Sequence, residues 1–158
     1  MSLLPFFTWC EHTALGEAIR GSLWLFPAIE SIHLLALVVI AGAVLVVDMR
    51  LFGVGLRRQP VAELARDTQP WLIGSLMVMI ATGILLFVSE ATKCYYSLAF
   101  SVKMTSLLLA IIFTFTVRRK VVLADEARVG PLWSKLVAVV SVCLWATVGV
   151  GGRWIGFS

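Results

Sequence analysis

Glu30 and His33 stand three residues apart in a run that is otherwise almost wholly apolar, and Lys103 sits inside another such run. Residues three apart share a helix face, so the carboxyl and the imidazole are presented together. An ionisable group at the centre of a bilayer costs roughly 2.5–3.5 kcal/mol on insertion scales, so it has either a partner or a task. The His33 imidazole is able to ligate haem iron or a transition metal. Glu30 and Lys103 complete a candidate cofactor site, with Lys103 and Met104 as weaker candidates for a second axial ligand. Asp48 and Arg50 flank the end of the first run and read as a charge pair at a helix terminus; Glu90 and Arg153 close two other runs. The chain has only two histidines, and neither HExxH nor CxxC occurs. Metalloprotease, zinc and dithiol chemistry therefore lack their patterns. No nucleophile–base pair or phosphate-binding loop supports hydrolysis or group transfer.

Placing these groups calls for membrane helices. Of 158 residues, 60% are hydrophobic and 14% charged. Soluble domains are about 45–50% apolar and about 25% charged, so a soluble enzyme is excluded, as are a disordered tail and a disulfide scaffold. Four runs approach the roughly 20 residues that a spanning helix needs: 27–47, 70–89, 97–117 and 136–152. In lipid each must satisfy its own backbone and is expected to be an α-helix. The expected fold is all-α, a polytopic four-helix bundle forming a single membrane domain over 1–158. A short interfacial helix is expected over about 8–20, with Thr8 as N-cap and Glu11 at capping-box spacing. That stretch lacks the basic start and small-residue cleavage site of a signal peptide. Trp9, Trp24, Trp71, Trp133 and Trp154 suit the headgroup level. The segment 56–69 reads as partly helical from Pro60, and Gly130–Pro131 marks a break before the fourth run.

Lysine and arginine in short loops set orientation. Arg50, Arg57, Arg58 and Arg66 follow the first run; Arg118, Arg119, Lys120, Arg128 and Lys135 lie between the third and fourth. Only Arg20, Lys93 and Arg153 fall on the opposite side. Both termini are thus expected outside, with the basic loops in the cytoplasm. The net charge of +4 follows from this topology, and nucleic acid is not an expected partner.

His33 and Lys103 each lie six residues into a helix that starts outside, roughly 9 Å below the surface at about 1.5 Å per residue. Lys103 shares its stripe with Ser106, Ala110 and Thr114, small and hydroxyl residues of the kind that face other helices. The helix-one stripe runs through Glu30, His33, Leu37, Ala41, Val44 and Asp48. A polar cluster of Glu30, His33 and Lys103, joined by Glu90 or Arg153, is expected under the outer surface; charge neutralisation between helices explains it as well as a cofactor does. Cys10 and Cys94 fall on the outer side, where an oxidising periplasm would allow a disulfide. Cys143 reads as a packing residue.

The strings WLFPAIESIH, DMRLFG, RDTQPW, SEATKCYY, KMTSLLLA and GRWIGF resemble an uncharacterised family of small bacterial inner-membrane proteins with four helices. The resemblance covers most of the chain, with Met49 and Phe52 where leucines are commoner. By position it points to Glu30, His33, Asp48, Arg50, Glu90, Cys94, Lys103 and Arg153. It implies a location in the bacterial inner membrane and supplies no reaction.

Three functions fit these features. The first is an oligomeric redox protein holding haem b or another cofactor at His33, with a quinone or periplasmic electron partner. The second is a proton- or ion-linked channel or transporter subunit, which four helices would form only as a homo-oligomer. The third is a non-catalytic accessory subunit, for which Gly149, Gly151 and Gly152 would permit close helix contact.

Overall fold

The structure, a computed structural model, describes residues 3–55, 59–124 and 129–155. Every regular element among them is helical. Two short helices, α1 (Leu4–Glu11) and α2 (Ala14–Gly21), precede α3 (Leu25–Phe52) and α4 (Val61–Ser89). A one-and-a-half-turn α5 (Ala91–Tyr96) leads into α6 (Leu98–Phe113). A π-helical turn (Thr114–Arg118) and α7 (Arg119–Leu123) prolong α6 into one rod, and α8 (Pro131–Ile155) follows. Four of these helical units are long and apolar enough to cross a membrane.

The helices outrun the apolar sequence runs. Twenty-eight residues of α3 reach about 42 Å, whereas a hydrocarbon core is about 30 Å thick. Hydropathy marks only the part that lipid would cover. α4 accordingly begins at Val61, nine residues before the apolar run, and carries Pro70 within it. α3 stops at Gly53, whose φ of 81° is left-handed, where its N–H bonds the Arg50 carbonyl and that of Val54 bonds Met49. α8 starts on Pro131, whose missing N–H is no loss in a first turn. Leu56, Arg57, Arg58 and Arg128, assigned above to loops, lie outside the described residues.

One expected helix at the N-terminus is in fact two. Thr8 is not a cap: it lies inside α1 and its hydroxyl donates to the Leu4 carbonyl. Thr13 caps α2 by accepting from the Gly16 N–H at 3.3 Å. The pair docks on the bundle end. A Cβ on Gly16 would stand 2.8 Å from the carbonyl oxygens of Glu11 and Val88, so glycine is what allows α2 to close on α4. Phe7 makes edge contacts with Phe87 and Tyr95. Glu11 pairs with Arg20 and accepts the Thr92 N–H at 2.7 Å.

α3 is the central helix, packed on α4 and α8, and α8 packs in turn on α6. The core is apolar: Ala36, Ile40 and Val44 of α3 meet Leu72, Leu76 and Met79 of α4, Ala110 of α6, and Trp145 and Val148 of α8. Ala41, expected on the inner stripe, is exposed, and the buried face of α3 runs His33, Ala36, Ile40, Val44, Val47, Asp48. α4 reaches the third rod at α7 and has no comparable contact with α6 among the described residues.

Candidate functional site

That gap between α4 and α6 opens a cavity of about 530 Å³ at the end of the bundle where α1 docks and α8 ends. Its polar lining is His33 and Glu30 from α3, Glu90 after α4, Lys93 and Cys94 from α5, Lys103 from α6, and Arg153 from α8. Apolar side chains including Leu37, Met79, Phe87 and Phe100 form the rest. Sequence depth and direction thus bring His33, Lys103, Glu30, Glu90 and Arg153 to one space. Glu30 is exposed at the edge, not buried in a cluster, because it lies one turn beyond the last inward position of α3. Neither Glu30 nor Glu90 comes within ion-pair distance of Lys103. The expected neutralising cluster is therefore a shared cavity lining.

His33 is buried, and its Nδ1 is 2.9 Å from Thr82 Oγ1. Thr82 commits its own hydrogen to the Val78 carbonyl at 2.7 Å, the usual bond of a threonine to the turn before it. Its oxygen is then the acceptor and Nδ1–H the donor, so Nε2 keeps its lone pair. Gly83 lets the ring lie against α4: a Cβ there would be 3.3 Å from His33 Cε1. Lys103 has a similar cradle in α8. A Cβ on Gly151 would meet Lys103 Cβ at 3.3 Å, and one on Gly152 would meet Nζ at 3.3 Å.

Met104 does not belong here. One residue past Lys103 it points about 100° round the helix, is 46% exposed and lines no part of the cavity. Cys94 lies in the lining as a free thiol, and Cys10 is likewise buried and free, so the expected bridge between them is not formed. Burial, with Glu90 nearby, pushes the Cys94 thiol up to about 11. Hydrogen bonds from Thr92, with Arg20 beside it, hold the Glu11 carboxyl below its ordinary value. No group of three or more His, Cys, Asp or Glu side chains gathers in metal-ligand fashion among the described residues.

A second polar centre lies toward the basic loops, where the sequence suggested a pair between Asp48 and Arg50. Asp48 instead faces Arg118, which ends the π turn; Nε donates to Oδ1 at 2.9 Å and Nη2 to the Val44 carbonyl at 3.2 Å. Arg50 turns the other way, its Nε donating to the Gln59 carbonyl. Asp48 is completely buried, and the Ser141 hydroxyl, itself buried, adjoins its carboxyl. Trp145 Nε1 donates to Thr114 Oγ1 at 3.2 Å beside them. Arg118 was missed as an internal residue because it was counted as a loop charge. The signal was present: it continues the stripe Ser106, Ala110, Thr114 by four residues.

The chain belongs to a family of unknown function, DUF6644, whose model matches residues 6–158. No curated protein and no solved structure matches it.

Proposed function

We propose that the chain is a self-associating inner-membrane protein, with both termini periplasmic, that holds a redox cofactor in the terminal-end cavity. Haem b is the cofactor of choice, bound through His33 for electron exchange with a quinone or periplasmic partner. The observation that carries this reading is the His33 ring. Its Nδ1 lies 2.9 Å from the Thr82 hydroxyl and the Met79 carbonyl adjoins the ring, so the imidazole is held in orientation where it lines a cavity, as a ligating histidine usually is. A volume of about 530 Å³ falls within the roughly 300–1,000 Å³ of small-molecule and cofactor sites. With Met104 turned away, His33 is the residue that would hold the iron, and Met79, Cys94 and Lys103 share its cavity lining. Absorption spectra of the purified protein, before and after haem addition, test this. A Soret band lost in His33→Ala supports it; no band in either sample refutes it.

The ion-linked alternative draws on two polar centres in opposite halves of the bundle, His33 with Lys103 and Asp48 with Arg118. They are about 22 Å apart along α3, fifteen residues at about 1.5 Å each. Between them Ile40 and Val44 are buried in the apolar core. That plug favours a one-sided site over a through-path. Proteoliposome proton or cation flux that falls in His33→Ala and Asp48→Asn would reverse the preference.

A further inference from the structure

Among the described residues, Lys103 carries the only ammonium group in the depth of the cavity, since Lys93 and Arg153 are exposed at its edge. It forms no salt bridge with a described residue. Its near neighbours are a protonated thiol, Cys94, and the His33 ring. A half-buried ammonium with no ion-pair partner among the described residues is costly, and a lysine that merely reached for the surface would need no cradle. Yet α8 keeps two glycines against it, and Gly152 leaves room at Nζ itself. Two features thus converge: a cation with no ion-pair partner among the described residues and a glycine seat for its charged end at the cavity wall. The remaining lining is mostly aliphatic and aromatic.

We infer that Lys103 is the carboxylate-binding subsite of the cavity, taking the acidic end of an amphipathic ligand whose apolar body lies against Leu37, Met79, Phe87 and Phe100. This rests on the cavity being a ligand site and not on the ligand being haem. The carboxylate has two sources that fit: the propionate of a porphyrin, or a fatty-acid anion. A charge-assisted ammonium–carboxylate bond is directional and about twice as strong as a neutral one, so the acid should bind better than an ester of the same shape.

The test uses the purified full chain in neutral detergent and four probes: iron-free protoporphyrin IX and its dimethyl ester, and oleate and its methyl ester. Affinities are read from ligand-dependent shifts of thermal unfolding. In the unaltered protein at least one acid should bind about tenfold or more tightly than its ester; which acid does so identifies the source. Lys103→Met should abolish the preference, and Met104→Leu, exposed and outside the cavity lining, should retain it. Gly152→Ala, which keeps the charge but crowds Nζ, should weaken the acid more than the ester and serves if Lys103→Met does not fold. Equal binding of acids and esters, binding of neither, or an undiminished preference in Lys103→Met overturns the inference. A missing Soret band alongside an intact acid preference removes the haem reading and leaves this one standing.

Discussion

Arg118 Nε stands 2.9 Å from Asp48 Oδ1, with the arginine side chain 7% and the aspartate 0% exposed. The pair joins the centre of the bundle to the far end of the α6 rod, seventy residues away in sequence. Removing one partner of a buried ion pair leaves an uncompensated charge and costs about 3–5 kcal/mol, whereas replacing both with apolar groups is often neutral. Asp48→Leu and Arg118→Met should each destabilise by that order, and the double variant should recover most of the loss. Equilibrium unfolding in mixed detergent micelles measures this; additive single losses would sink the idea.

Thr82 should matter to ligand affinity without touching the ligand. Thr82→Val keeps the shape and removes the acceptor of His33 Nδ1–H. Loss of such an orienting partner typically lowers affinity of a ligating histidine by about 10–100-fold. Haem titration of this variant should show that weakening with the fold intact by circular dichroism, and an unchanged affinity would detach Thr82 from the site.

Acid should loosen the N-terminal pair of helices. Hydrogen bonding from Thr92, with Arg20 beside it, lowers the Glu11 carboxyl from its ordinary 4.5. A depressed acid contributes its stabilisation above the unfolded value and loses it as pH falls through the folded one. Docking of α1 and α2 should therefore hold above pH 4.5 and fail progressively below it. Protease cleavage near Trp24 followed against pH reports this, and Glu11→Gln should flatten the profile.

Cys94 should be a slow nucleophile. With the thiol pushed up to about 11 from an ordinary 9.0, its thiolate fraction at pH 8 falls about 100-fold, and the thiolate is the reactive form. In a Cys10→Ser, Cys143→Ser background, maleimide labelling of the native protein should be slower than in detergent-denatured protein by at least that factor. Equal rates would mean that Cys94 is not buried.

Hydropathy was enough to identify the four long helices, because twenty apolar residues admit few alternatives. It did not reveal where they end, since the outer turns of α3 and α4 carry Arg50, Glu63 and Arg66 and resemble loop sequence. Helical periodicity put His33 and Lys103 on inner faces. The same periodicity places Met104 about 100° off that stripe, so expecting it as a ligand went against the helix geometry. Periodicity could not choose between Arg50 and Arg118 for Asp48, because proximity along the chain favours the first and only the packing of the α6 rod on α3 delivers the second. The role of Thr82 was invisible for the same reason: a threonine amid apolar residues is unremarkable until an imidazole from another helix meets it.

The apolar plug of Ile40 and Val44 bears on bioenergetics. Among the described residues no polar route joins the cavity to Asp48, so on the proposed function charge that arrived from the terminal end would depart by it. On the same reading, a complete turnover at such a site would carry no net charge from one side of the bilayer to the other.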